Sequence, residues 1–165
     1  MNFLLTQFIG LVGYSTLSFS YFKKEKKDIL FIQIIAYIAF AIHYYMLSGI
    51  TGTVCNVIGL IALIIIYLFD KYKVKNKNIL VFIIIPLLIL ISLITYQNIY
   101  SIFPVISSTI AILSFFTDNE HTIRKVGVVA AVSWLIYAIV YKSYVSIIFE
   151  IITLSSTVIA SIKNK

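Results

Sequence analysis

The stretch NILVFIIIPLLILISLIT, residues Asn78 to Thr95, is an apolar run that stands alone between two matching sets of apolar runs. Three runs precede it and three follow it, and two short polar breaks divide each set. Three successive membrane crossings enter from one side and leave on the other, so two sets joined directly would point in opposite directions. One additional crossing makes them parallel. The run therefore predicts a linker helix and a pathway between the two sets.

The composition of the chain is that of a membrane protein. Hydrophobic residues make up 61% of the 165 residues and charged residues 12%, whereas a typical soluble domain has about 25% charged residues. The mean hydropathy is +1.05. A membrane-spanning helix needs about 20 apolar residues, so the chain has room for roughly seven spans and for no soluble domain. The runs are apolar on all faces rather than alternating, which predicts helices.

We therefore predict an all-α membrane protein of seven transmembrane helices in a single transmembrane domain, residues 1–165. Two parallel three-helix repeats are joined by a linker helix, in the order three, one, three. The first repeat covers 3–69, the linker helix 78–96 and the second repeat 97–162. The predicted spans are 3–22, 29–47, 52–69, 78–95, 99–116, 123–141 and 144–162, with a polar loop over 117–122.

The basic residues predict the orientation of the chain. With the amino terminus outside, all of the 13 Lys and Arg residues except Lys142 fall in inner segments. The positive-inside rule then places the carboxyl terminus in the cytoplasm of a multi-pass cell-membrane protein. These charges suit contacts with anionic membrane lipids. Because they lie in short loops at helix ends rather than on one folded face, we expect no nucleic-acid partner.

Sliding the chain by 94 residues superimposes the first repeat on the second without a gap in any loop. Phe3 then falls on Gln97, and the exceptional residues of the two repeats coincide in pairs. The pairs are Gly10 with Pro104, Gly13 with Ser107, Phe40 with Trp134, His43 with Tyr137, and Asn56 with Glu150. The shared register predicts that these positions face one interface between the repeats.

Glu150 is the first candidate for a functional site, since a carboxylate within a span costs about 3 kcal/mol or more unless it faces water or a partner. At about 1.5 Å of rise per residue, it lies in one layer with other polar residues near the outer ends of their helices. We predict a substrate-binding layer formed by Phe40, His43, Asn56, Trp134, Tyr137 and Glu150. The alternative is a polar cluster that satisfies its own hydrogen bonds. Tyr44 and Tyr45 fall where an interfacial aromatic belt is expected.

The chain resembles the SWEET, semi-SWEET and PQ-loop superfamily along its whole length, and most closely the bacterial inner-membrane family called YgjV. The residues that carry the resemblance extend from Gly10 through Lys27 to His43, Tyr44, Gly52 and Asn56. Semi-SWEET sugar transporters place a tryptophan on the second helix of the repeat and an asparagine sixteen residues later, and together these form the substrate site. Here that spacing gives Phe40 with Asn56 and Trp134 with Glu150. The resemblance also implies helix-bending prolines as hinges, for which Pro104 is the counterpart here. Gly10, at the paired position, would soften the first helix and is the second predicted hinge.

These features predict a small-solute transporter or facilitator that works by alternating access on a polar solute such as a sugar or a small cation. Glu150 would favour a cationic or proton-coupled solute. The competing class is a non-transporting accessory or scaffold protein of the membrane. We expect no enzyme, because no His-Glu-x-x-His motif and no paired carboxylates occur within the spans. With Cys55 the single cysteine, we also expect no metal site and no cofactor. A homo-oligomer is left open.

Overall fold

The computed structural model describes residues 2–20, 22–23, 25–74, 79–114 and 120–163, without the side chains of 26, 120–127 and 156–163. These residues form seven α-helices and one 3-10 turn, Ile99–Ser101, and they contain no strand. The predicted all-α fold is thereby confirmed. The helices are α1 (Phe3–Ser20), α2 (Lys26–Met46), α3 (Ile50–Lys71), α4 (Ile79–Ile94), α5 (Ile102–Ser114), α6 (Glu120–Val140) and α7 (Tyr144–Lys163).

Three of the helices are long and apolar enough to span a membrane, namely the described parts Phe3–Ser20, Lys27–Met46 and Ile50–Lys71. The other helices contain shorter apolar segments of 10–17 residues. Large apolar side chains point outward from the bundle, as Phe82 and Ile94 do at 78% and 76% exposure. Such an exposed apolar surface is stable in hydrocarbon and would be a liability in water.

Six of the helices form a closed ring. α2 packs against α1 and α3, and α6 packs in the same way against α5 and α7. The ring is closed where α3 packs against α5 and where α7 packs against α1. α4 packs against α3 and α5. The last three helices therefore repeat the packing order of the first three, and α4 takes the linker position of the predicted arrangement.

α2 and α6 end in the same tight turn. Ser48 and Lys142 adopt left-handed backbone conformations, with φ of 61° and 54°. The next residue in each turn donates its N–H to a carbonyl five residues back, Gly49 to Tyr44 and Ser143 to Ala138. This pairing is the Schellman motif, which satisfies the last carbonyls of a helix. It reverses the chain within three residues and sets α3 and α7 directly beside the helices that precede them.

Three of the described turns lie together at one end of the bundle, which we call the turn end. It contains the start of α1 and the turns 47–49, 95–98 and 141–143. Asn98 and Gln97 hydrogen-bond to Tyr141 there, and Gln97 also bonds to the turn after α2. α1 and α5 therefore both begin at the turn end, as parallel repeats require.

The loop predicted over 117–122 is wrong for its last three residues, because α6 already begins at Glu120. No Gly or Pro interrupts the sequence from this residue onward until Gly127, and an acidic residue in the first turn complements the helix dipole. Many of the basic residues behind the predicted orientation lie outside the described residues or have side chains that are not described. They are Lys24, Lys26, Lys75, Lys77, Arg124, Lys125, Lys163 and Lys165.

Candidate functional site

A cavity of about 190 Å³ lies at the centre of the helix ring. A single water needs about 10–15 Å³ of such space, so the cavity has room for on the order of ten waters or for a small solute. All six ring helices line it, whereas α4 contributes none of the lining residues. The lining residues are Tyr14, Leu17, Gln33, Tyr37, Phe40, Tyr44, Asn56, Ser108, Ala111, Ser114, Trp134 and Glu150.

Four of the six predicted binding residues line this cavity: Phe40, Asn56, Trp134 and Glu150. His43 and Tyr137 do not. Both are fully buried nearer the turn end, where they hold helices together by hydrogen bonds. The structure thus brings both predicted pairs, Phe40 with Asn56 and Trp134 with Glu150, into the cavity lining. His43 and Tyr137 lie outside the lining, nearer the turn end.

Glu150 enters the cavity from α7 and accepts a hydrogen bond from the Tyr14 hydroxyl on α1, at 2.9 Å to Oε1. Its exposed fraction is 8%. Its described polar partner is a neutral hydroxyl, and no lysine or arginine is among the cavity lining. A buried carboxylate without a neighbouring cation is costly. Glu150 is therefore suited to bind a cation or a proton.

Asn56 lies on α3, at the position of the first repeat that corresponds to Glu150 in the second repeat. Its Nδ2 donates to the carbonyl of Gly52 one turn earlier, at 2.8 Å. Among the described contacts this leaves the amide oxygen for a ligand in the cavity. The paired positions thus offer a hydrogen-bond acceptor on one side of the cavity and a carboxyl on the other.

Aromatic rings build the wall between these two polar groups. Tyr44 stacks on Trp134 with ring centroids 5.1 Å apart. On the other side, Tyr14 packs edge-on against Phe40 at 4.7 Å and stacks on Phe149 at 4.8 Å. Rigid aromatic faces beside a few polar groups are typical of sites for small ligands.

The two repeats contribute unequally to the cavity. At four lining positions where the first repeat has a large side chain, the residue 94 positions later is small. The pairs are Tyr14 with Ser108, Leu17 with Ala111, Tyr37 with Ala131, and Tyr44 with Ala138. We infer that the free volume lies on the side of the second repeat, next to Ser108 and Ala111.

At the turn end a layer of buried hydrogen bonds closes the ring. His43 bonds through Nδ1 to the Thr6 carbonyl at 2.7 Å and through Nε2 to the Ser143 hydroxyl at 2.6 Å. Tyr137 accepts a hydrogen bond from the Gly52 N–H at 2.9 Å. Each of these two residues reaches from its own repeat into the other, which matches their paired positions in the sequence.

Two glutamines clamp the turn end in equivalent ways. Gln97 donates from Nε2 to the Ser48 carbonyl at 2.9 Å and accepts from the Ile50 N–H at 2.8 Å. Gln7 donates to the Lys142 carbonyl and accepts from the Val145 N–H, both at 3.2 Å. Each glutamine thus binds the left-handed residue of one Schellman turn and the first turn of the following helix. The two glutamines thus bridge the α3–α5 and α1–α7 contacts that close the ring.

The predicted hinges occupy different settings. Gly10 lies under the His43 imidazole, and a Cβ at this position would meet the ring at 2.8 Å. Close packing is thus one reason for glycine here. Pro104 is the third residue of α5, directly after the 3-10 turn, and the first turn of a helix is where proline is tolerated. A hinge role for either residue stays a prediction.

Sequence reasoning missed several lining residues, and one interpretation was wrong. Tyr44 was assigned to an interfacial belt but is 2% exposed and lines the cavity, whereas Tyr45 beside it is 63% exposed. Two adjacent tyrosines on a helix point about 100° apart, so they can face different surroundings. Tyr14 directly follows Gly13, one of the paired positions, and its pairing with Ser108 was the available signal. In the described residues no group of three His, Cys, Asp or Glu side chains could hold a metal ion.

The helices and their polar cavity define an all-helical integral membrane protein built around a central solute-sized space. The chain belongs to the Imp-YgjV family of bacterial inner membrane proteins, whose family model matches residues 4–165. No curated protein and no solved structure matches the chain. The family description supports an inner-membrane location.

Proposed function

We propose that the protein is a small-solute transporter or facilitator that works by alternating access. The observation that carries the proposal is the central cavity, which Asn56 and Glu150 line from equivalent helices of the two halves. Parallel repeats with a substrate site at their interface are a known plan of transporters. The resemblance to the SWEET superfamily supports the same reading.

The position of the cavity supports a path that is open toward one membrane face at a time. Its lining continues through Gln33 and Ser114 toward the end opposite the turn end. The hydrogen bonds of His43 and Tyr137 close the turn end. In the orientation that the basic residues predict, the end of the lining at Gln33 and Ser114 faces the cytoplasm. Transport then requires the turn end to part while the opposite end closes.

The lining chemistry favours a polar solute. Trp134 and Phe40 offer flat apolar faces, and Asn56 offers a hydrogen-bond acceptor between them. When Glu150 is ionised the site attracts a cation, and when it is protonated the site suits a neutral polar solute such as a sugar. We propose no enzymatic activity, no cofactor and no nucleic-acid partner.

The test is uptake by purified protein in sealed vesicles, with radiolabelled sugars, amino acids and small organic cations as the panel. We expect uptake of one of these classes. Trp134→Ala and Asn56→Ala should lower it at least tenfold, because each removes a face or a hydrogen bond of the site. Ile148→Ala is the matched control, since this α7 side chain is 56% exposed and lies outside the cavity lining.

Glu150→Gln tests the carboxyl separately. This variant should keep the shape of the cavity and abolish any dependence of uptake on pH between about 5 and 8. Uptake that keeps its pH dependence in this variant would remove Glu150 from the mechanism. If folded protein takes up none of the panel, and the Trp134 and Asn56 variants change only its assembly, the accessory or scaffold class is favoured instead.

A further inference from the structure

A chain of polar side chains connects the cavity with the buried His43. Nε2 of His43 contacts the Ser143 hydroxyl at 2.6 Å, and the Ser143 and Ser146 hydroxyls are hydrogen-bonded to each other. The Ser146 hydroxyl in turn accepts a hydrogen bond from the Tyr44 hydroxyl at 3.3 Å. It is also in polar contact with the Tyr14 hydroxyl. Tyr14 donates to Glu150. The chain runs through three helices without an apolar interruption.

The Thr6 carbonyl fixes the direction of this chain. A carbonyl oxygen only accepts, so Nδ1 of His43 carries the proton that it shares with Thr6. In the neutral ring Nε2 is then an acceptor, and the Ser143 hydroxyl must donate to it. Each hydroxyl has a single proton, so Ser143 accepts from Ser146. The Ser143 and Ser146 hydroxyls thus point their protons toward His43. The Tyr14 hydroxyl donates to Glu150 and must turn to Ser146 when the carboxyl carries a proton.

We propose that this chain is a proton path from the cavity carboxyl to His43. Protonated Glu150 gives its proton to the Tyr14 oxygen, Tyr14 gives its own to Ser146, Ser146 to Ser143, and Ser143 to Nε2 of His43. Each hydroxyl loses one O–H bond and gains one, so the net change is one proton moved from the carboxylic acid to the imidazole. No other reactant is needed.

Arrival of the proton changes the seal at the turn end. Charged His43 donates from both nitrogens, so Ser143 must turn from donor to acceptor and the orientation of the chain reverses. His43 holds α1 and the turn before α7 together. If the protein is the transporter proposed above, this path makes transport proton-coupled, because a proton taken up in the cavity reaches the closed end.

The titratable groups that face the two ends of the path are few. Tyr14 from α1 and Tyr44 from α2 face Glu150. Tyr44 also packs edge-on against the His43 ring at 5.2 Å. α1 presents the Thr6 carbonyl to His43, and the turn before α7 presents Ser143. Among these described contacts no other acid or base lies between the carboxyl and the imidazole.

The experiment follows His43 itself and needs no solute. In a His121→Gln background His43 is the remaining histidine of the two in the chain, so nitrogen-15 NMR of histidine-labelled protein reports it alone. Line shapes across an acid titration give the rate at which the ring exchanges protons, and the signal position gives its titration midpoint. The tested variant is Ser146→Ala. The control is Ser133→Ala, which removes a buried hydroxyl whose described hydrogen bond is to its own helix, at the Val129 carbonyl.

We expect Ser146→Ala to slow proton exchange at His43 at least tenfold with little change in the midpoint, and Ser133→Ala to leave both unchanged. Tyr14→Phe keeps the ring packing and should slow exchange to a similar extent, so it decides the matter if Ser146→Ala does not fold. Exchange at the wild-type rate in either folded variant, or a ring that stays neutral until the protein unfolds, overturns the path. These results do not depend on transport, so they can fail while the proposed function stands.

Discussion

The pairing of Asn56 with Glu150 shows how single residues give the two halves of the ring different chemistry. Both residues are near the start of their helices and both line the cavity, yet one is a neutral amide and the other an acid. The Asn56 amide donates to the carbonyl of Gly52 in its own helix, whereas Glu150 accepts a hydrogen bond from Tyr14 in another helix. Among the described hydrogen bonds, that of the acid therefore joins two helices, and that of the amide stays within one helix.

Gly52 is a position where a single added methyl group should destabilise the fold. A Cβ there would meet Cε1 of Tyr137 at 2.5 Å, and the Tyr137 ring is fully buried. We predict that Gly52→Ala lowers the free energy of unfolding by about 1–3 kcal/mol, the usual effect of overpacking. Thermal unfolding in detergent measures it. Val57→Ala, at a position on α3 that is 40% exposed, is the control. Equal melting temperatures for Gly52→Ala and wild type would show that the Tyr137 side chain can move aside without cost, and would contradict the prediction.

How far the site was predictable also depends on single residues. Phe40, Asn56, Trp134 and Glu150 were identified because polar or aromatic residues recur at one register in both repeats. Tyr44 was not, since hydropathy and position alone cannot distinguish a tyrosine at the headgroup level from one turned into a cavity. The facing direction is set by helix packing, which the sequence of one helix does not specify.

At the scale of elements, the helices were predictable and their neighbours were not. Runs of apolar residues and the short breaks between them gave each helix to within a few residues. The ring order arises from contacts such as α3 with α5 and α7 with α1. These contacts depend on which small residues allow close approach, as Gly52 does for Tyr137.

The two glutamine clamps should act as equivalent elements of the closed turn end. We predict that Gln7→Leu and Gln97→Leu each lower the free energy of unfolding by roughly 1 kcal/mol, because each removes side-chain hydrogen bonds of ordinary strength. Their effects should add, since the backbone groups that they bind lie in different turns. Chemical unfolding of the single and double variants measures this, with Leu90→Ala on the exposed face of α4 as control. A loss confined to one glutamine would contradict their equivalence.

For the whole molecule, the charge distribution predicts one orientation. The carboxyl terminus should face the cytoplasm, because Lys142 is the single basic residue in the segments assigned to the outside. A reporter that fluoresces only in the cytoplasm should be active when fused after Lys165, and a phosphatase active only outside should be inactive there. The reverse pattern would place the turn end, and not the opposite end, on the cytoplasmic side.

The central claim is that the cavity becomes accessible from both membrane faces in turn, and labelling of a cysteine at Ser108 tests it most directly. Ser108 lines the cavity, while Cys55, the single native cysteine, is buried and gives the unlabelled control. In Ser108→Cys protein, a membrane-impermeant maleimide should react quickly from the carboxyl-terminal side. From the turn-end side it should react slowly but measurably, and faster when Gln7→Leu and Gln97→Leu are added. Reaction from one side alone, unchanged when both clamps are removed, would contradict alternating access.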